Sequence, residues 1–198
     1  MKEIIIATKN EGKAKEFKTL FDRYGIKAVS LLDLPQDLPD IEETGSTFEE
    51  NAALKSEGIA NILNIPVMAD DSGLEIDALD GKPGIFSARY AGEPKDDKKN
   101  IQKVLEELKN VPEADRTARF VCVLSISIPG EKTIYKKGYC EGSIAIEEKG
   151  NHGFGYDPIF IPKGYSHTMA ELTPEEKNKI SHRKNAMVQL EDWIQNQR

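Results

Sequence analysis

With 34 acidic against 27 basic side chains, a formal net charge of −7 and a pI near 5.2, this chain of 198 residues is disfavoured for bulk binding to nucleic acid, whose attraction needs a basic face, and is long enough to bury one good core. Apolar residues make up 38% and charged residues 31%, the balance of a globular chain, and no apolar run approaches the roughly 20 residues of a membrane span. The only cysteines, Cys122 and Cys140, lack the spacing of a zinc site or a disulfide framework, and a strand at the N-terminus in place of a signal peptide makes the cytoplasm the expected compartment.

Ile4-Ile5-Ile6-Ala7 has the continuous β-branched pattern of a strand covered on both faces. Thr8-Lys9-Asn10-Glu11-Gly12-Lys13 follows, then a helix whose apolar positions Ala14, Phe17, Leu20, Phe21 and Tyr24 recur every three or four residues, ended by Gly25. A strand, a polar loop with glycine and a helix start bring free amides and the positive helix end to an anion, with Lys13 adding a full charge. GxxxxGK[ST] is absent, so the same residues also fit an ordinary capped helix.

A second strand is predicted over 26–32, followed by a proline-broken loop ending in Ile41-Glu42-Glu43-Thr44-Gly45. Thr47-Phe48-Glu49-Glu50 matches a capping box and opens a helix to about Leu63. Phe48, Ala52, Ile59 and Ile62 form its inward stripe, and Asn51 and Lys55 fall on that stripe. A lysine there either snorkels at the core edge or reaches an anion.

Val67-Met68-Ala69 then runs into Asp70-Asp71-Ser72-Gly73-Leu74. Two adjacent carboxylates at a buried strand end need a cation, a donor or solvent to stay ionised. Strand alternation sends them to opposite faces, so they are not twin ligands of one ion: one faces a site and the other holds the turn. The alternative is an Asp-Ser-Gly turn closing a hairpin onto 74–77. The loop 81–92 carries Phe86, Arg89 and Tyr90, and a helix with Ile101, Val104, Leu105 and Leu108 on one face follows from about Asp96 to Lys109.

Residues 117–128 and 133–146 form an antiparallel hairpin turned at Pro129-Gly130, so the sheet is mixed. In Gly150-Asn151-His152-Gly153-Phe154-Gly155-Tyr156-Asp157-Pro158, glycines flanking Phe154 let a flat ligand approach the ring and the backbone; a turn whose aromatics cap the core fits too. Thr173-Pro174-Glu175-Glu176 starts a short helix. Ser181 caps the last one, whose inward side is Ala186, Leu190, Trp193 and Ile194. His182 and Arg183 sit in its first turn, where their charge opposes the helix dipole unless an electronegative ligand faces them.

Thr8-x-Asn10-x-x-Lys13, Glu42-Glu43-Thr44-Gly45-x-Thr47-Phe48-x-Glu50-Asn51-Ala52, Asp70-Asp71-Ser72-Gly73-Leu74, Pro83-Gly84-x-x-Ser87-Ala88-Arg89-Tyr90, Gly153-Phe154-Gly155-Tyr156-Asp157-Pro158 and Ser181-His182-Arg183 together resemble the inosine triphosphate pyrophosphatase family over nearly the whole chain. Phe86, where a tyrosine is frequent, and Ser56, where an alanine is, are the departures. The resemblance implies one α/β domain with a mixed β-sheet and flanking helices, two lobes around a central cleft, a homodimer, and Mg²⁺-dependent cleavage of ITP, dITP or XTP to monophosphate and pyrophosphate. It makes Asp71 the general base and a metal ligand and Glu42 the second metal ligand. Thr8, Lys9, Asn10, Glu11, Gly12, Lys13, Lys55 and Ser72 would hold the triphosphate, and Phe154, Gly155, Tyr156, Asp157, Lys177, His182 and Arg183 the base. The rival expectations are a septum-formation-inhibitor type pyrophosphatase acting on pyrimidine or modified nucleotides, and a nucleotide-binding module without turnover. None of these involves nucleic acid or a membrane.

Overall fold

The apolar run behind Met1 forms β1 (Glu3–Ile6), with Ile4, Ile5 and Ile6 all buried, as a strand covered on both faces requires. The structure, a computed structural model, describes residues 1–35 and 38–196. After β1 come α1 (Glu11–Asp22), β2 (Lys27–Ser30), α2 (Phe48–Leu63), β3 (Val67–Ile76), α3 (Asp97–Glu107), β4 (Thr117–Ser127), β5 (Ile134–Ile144), β6 (Phe160–Pro162), α4 (Pro174–Ile180) and α5 (His182–Asn196). The strands hydrogen-bond in the order β2-β1-β3-β4-β5-β6. β1 is parallel to β2 and β3, and β6 is antiparallel to β5, so the sheet is mixed as predicted. None of the helices among the described residues is long and apolar enough to cross a membrane.

Two predicted elements differ. The second strand stops at Ser30 instead of Leu32, because the Asp33 carboxylate accepts both the amide and the hydroxyl of Ser30 at 2.7 Å and winds Leu31–Asp33 into a single 3₁₀ turn. The hairpin alternative at Asp-Ser-Gly is overturned: β3 runs straight through Asp70, Asp71, Ser72 and Gly73 to Ile76. The Leu74 amide donates to the buried Ser87 hydroxyl at 2.8 Å, so the extended backbone is satisfied there without a turn.

The chain divides into two compact units, and β3, β4, β5 and α5 each pass from one to the other. The first comprises Met1–Asp71, Val123–Lys137 and Ala186–Arg198. Its core gathers Ile5, Val67, Ile59 and Ala60, ringed by Val29, Leu31, Ile41 and Leu63. α2 buries Phe48, Asn51, Ala52, Ala53, Ser56, Ile59 and Ala60, while Ile62 is half exposed, against expectation. The buried arc is centred on Ala52, Ser56 and Ile59, which leaves Ile62 at its margin, on the same side of the helix as Lys55. Ser56 is fully buried and answers its departure from alanine with two serines of β4: its hydroxyl lies 2.7 Å from that of Ser127 and accepts from that of Ser125 at 2.8 Å.

The second unit comprises Ser72–Cys122 and Gly138–Asn185. Leu74, Ile76, Ile101, Val104, Leu108, Phe120, Ile159 and Phe160 form its core. Arg116 is buried at its edge and donates to three carbonyls, those of Leu108 at 2.8 Å, Val111 at 3.0 Å and Ala145 at 3.2 Å, tying the end of α3 to the chain beyond β5. Cys140 is buried, and burial, then Glu141 and Asp157, push its thiol up to about 11, so it is no nucleophile at neutral pH.

Candidate active site

In the first unit the polar loop after β1 becomes the start of α1. Asn10 is the N-cap, its side-chain oxygen accepting the Lys13 amide at 3.0 Å, and the Thr8 hydroxyl accepts the Asn10 amide at 3.1 Å. The capped-helix and anion-cradle expectations are thus compatible: the cap fixes the first turn, and Glu11, Gly12 and Lys13 lie in it. Lys9 points elsewhere, into an exposed pair with Asp40 at 2.6 Å.

Two lysines meet on one strand residue. Lys13 Nζ lies 2.5 Å from Asp70 Oδ2, and Lys55 Nζ donates to the Asp70 carbonyl at 2.6 Å and to Glu43 Oε1 at 2.7 Å. The Asp70 side chain is 4% exposed and that of Lys13 24%, so this pair is shielded from the screening that weakens surface pairs. Burial works against the charge of Lys55. Asp71, Asp70 and Glu43 outweigh it, and the ammonium is held above the ordinary lysine value. Asp71 is therefore within electrostatic reach of Lys55, half-buried on the strand position next to Asp70. The alternation predicted for these two carboxylates resolves with Asp70 as the buried anchor. Glu42 is exposed, and the carboxylate on Lys55 belongs to its neighbour Glu43.

Ser72 follows Asp71 in β3 as the first residue of the second unit and is half-buried. In that unit the glycine-aromatic turn carries an inward and an outward aromatic: Tyr156 caps the core, buried at 5% exposure with its hydroxyl donating to the Ser87 carbonyl at 2.8 Å, while the Phe154 ring stands 67% exposed. The buried Asp157 carboxylate accepts the Phe154 amide at 2.9 Å and pairs with Lys177, whose ammonium also lies 4.9 Å from the centre of the Phe154 ring. Gly153 has φ +81°, and a Cβ there would collide with the Asp157 carboxylate, so only glycine fits. His182 begins α5 and stacks on Phe120 with centroids 5.1 Å apart and planes at 21°, which packs the ring whose charge opposed the helix dipole; Arg183 is half-buried beside it.

The sequence expectations therefore fall into two groups. Lys13 and Lys55 are gathered with Asp70 and Asp71 in the first unit, and Phe154, Asp157 and Lys177 with the Gly155 and Tyr156 backbone in the second. Asp70 and Glu43, which hold the lysines, were assigned no such role from sequence, and neither was Asp97, whose carboxylate accepts the Gly155 amide at 2.9 Å. Glu43 sits inside the motif quoted for Glu42, and Asp97 is the second of two acids where α3 begins; those are the only signals the sequence offered, and neither names a role.

Paired ammonium groups on a carboxylate strand end in the first unit, and an exposed ring on a hydrogen-bonded glycine turn in the second, belong to an α/β protein built on a mixed sheet. A Ham1 family profile matches residues 4–193. The chain is 66% identical over 194 residues to a dITP/XTP pyrophosphatase of Oceanobacillus iheyensis and 56% identical over 195 residues to one of Bacillus subtilis, with 98% of each chain covered in both cases. The solved Ham1 protein of Staphylococcus aureus superposes with a TM-score of 0.93 at 50% identity, covering all of both chains. A dITP/XTP pyrophosphatase structure from Mycobacterium abscessus gives 0.84 at 40% identity, covering 95% of this chain and 98% of that one. The chain belongs to the Ham1 family.

Proposed function

We propose that this chain is a nucleoside triphosphate pyrophosphatase that hydrolyses non-canonical purine nucleotides, dITP, ITP and XTP, to the monophosphate and pyrophosphate and so clears them from the cytoplasmic pool, working as a homodimer. One observation carries the chemistry: Lys13 and Lys55 are drawn together on Asp70, one position before Asp71. Relatives covering the same length bear that activity in their names.

The carboxylates that act on Lys55, those of Glu43, Asp70 and Asp71, are oxygen donors of the kind a hard divalent ion takes, although no cluster of three or more acidic side chains is drawn together for one among the described residues, and Glu42 stands next to Glu43 in the chain. Glu42 and Asp71 would hold Mg²⁺, which when bound supplies positive charge on the phosphate oxygens. Asp71 orients a water and takes its proton as the water attacks the α-phosphorus. Lys13 and Lys55 exchange their carboxylate contacts for phosphate oxygens and neutralise the departing pyrophosphate, while the Thr8–Lys13 amides and Ser72 fix the triphosphate. The base stacks on Phe154. Donors from Lys177, His182 and Arg183 at its edge select a 6-oxo purine, since a site built around a hydrogen bond rejects ligands that cannot make it.

The test is pyrophosphate release from dITP, XTP, GTP, ATP, dTTP and UTP, with and without EDTA. The expected result is turnover confined mainly to dITP and XTP, with a kcat/KM advantage of at least ~10²-fold over ATP, abolished by EDTA and restored by Mg²⁺. Preference for dTTP or UTP would favour the septum-formation-inhibitor type instead, and no pyrophosphate from any nucleotide would leave a binding module.

A further inference from the structure

The ring offered to the base has little core to hold it. Phe154 is 67% exposed and lies between Gly153 and Gly155, both at positive φ, with Gly150 also at positive φ a few residues before. Three such glycines leave the segment with large backbone freedom, so its shape must come from hydrogen bonds. Asp157 holds the Phe154 amide from within the turn. The next amide, that of Gly155, is held from a different element, by Asp97 in the first turn of α3, 58 residues away in sequence.

An acid at Asp97 has an ordinary explanation in the favourable field of a helix start. The cap itself, however, is made by Asp96, whose carboxylate accepts the Lys99 amide at 3.1 Å, which leaves the Asp97 carboxylate for the turn. Its other neighbour, Lys95 at 3.8 Å, is an exposed partner worth little. Tyr156 is tied to the same side, through its hydroxyl on the Ser87 carbonyl, and Asn100 of α3 holds that segment by donating to the Ala88 carbonyl at 3.1 Å and accepting the Ala91 amide at 2.7 Å. Phe154 thus sits beside two amides, its own and the next, each bound by a carboxylate.

We propose that Asp97 is a positioning residue for base recognition: by holding the Gly155 amide it sets the Phe154 ring in the orientation on which the purine stacks, and it touches neither the phosphates nor the reacting atoms. The proposal rests on the nucleotide function given above and adds to it a determinant of base affinity that lies on α3. A charge-assisted hydrogen bond to a backbone amide is strong enough for its loss to be seen in binding.

The experiment compares the unaltered chain, Asp97→Ala and Asp97→Asn by calorimetry with two ligands, a non-hydrolysable α,β-methylene analogue of XTP and tripolyphosphate, which has no base. Asp97→Ala is expected to weaken the analogue about 10-fold and to change tripolyphosphate by less than about 2-fold, while Asp97→Asn, which keeps an oxygen acceptor, stays within about 3-fold of the unaltered chain for both. Equal affinity of Asp97→Ala and the unaltered chain for the analogue would overturn the proposal, and so would parallel weakening of both ligands or an Asp97→Asn loss as large as that of Asp97→Ala. Because binding is read without turnover, these outcomes are separate from a failure of the chain to release pyrophosphate, which counts against the catalytic function alone.

Discussion

Asp71→Asn is expected to lower kcat on XTP by at least ~10²-fold while leaving the fold intact. The substitution keeps the size of the side chain and removes the base. Asp71 is half-buried, and the direct contacts of the lysines with its neighbours remain, Asp70 keeping its pair with Lys13 and Glu43 and the Asp70 carbonyl keeping Lys55, while the charge that Asp71 lends to Lys55 is lost. Nothing in the core is asked to rearrange, so the thermal midpoint should move by only a few degrees. The check is steady-state kinetics beside a circular dichroism melt of the same preparation. An Asp71→Asn variant as active as the unaltered chain would remove the base from the mechanism.

Lys55→Met should be nearly as severe, with kcat/KM for XTP down by ~10²- to 10³-fold. Methionine replaces most of the apolar stem and none of the charge. Lys55 is the group on which Glu43, Asp70 and Asp71 converge; their pull exceeds the cost of burying the ammonium. Without it the carboxylates face an incoming polyphosphate with Lys13 alone to offset them, and tripolyphosphate affinity should fall along with turnover. Binding of tripolyphosphate and kcat/KM are the two readouts. If both stay within about 3-fold of the unaltered chain, Lys55 is a structural lysine that pins Glu43 to β3 and takes no part in holding phosphate.

How far the sequence disclosed this arrangement follows from which forces are local. Lys55 stood out because a lysine on an apolar stripe contradicts a 3.6-residue period that the same helix otherwise obeys. Its neighbour Asn51 broke the same pattern and has a structural purpose: buried, it accepts the Gly45 amide at 2.8 Å and shapes the loop that carries Glu43. The caps at Thr47 and Thr173 were legible for the same local reason, each side chain accepting the amide three residues on, and Asn10 caps α1 in the same way without having been singled out. Strand alternation separated Asp70 from Asp71 but could not say which carboxylate was buried, because the partner that decides it, Lys13, is 57 residues away. The role of Glu43 depends in the same way on the approach of α2. Arg116 gave no signal at all, since a guanidinium satisfied by three backbone carbonyls is a product of tertiary packing. Residues 150–158 were ambiguous between a platform and a core cap because the segment contains one aromatic of each kind, and only packing shows that Tyr156 turns inward and Phe154 outward.

The most direct trial of attack at the α-phosphorus assisted by Asp71 is hydrolysis of XTP in ¹⁸O-labelled water, with products separated and weighed by mass spectrometry. Unlabelled pyrophosphate and a monophosphate carrying one ¹⁸O atom are the predicted products. Label in the pyrophosphate, orthophosphate as the released product, or an unaltered rate in Asp71→Asn would contradict it.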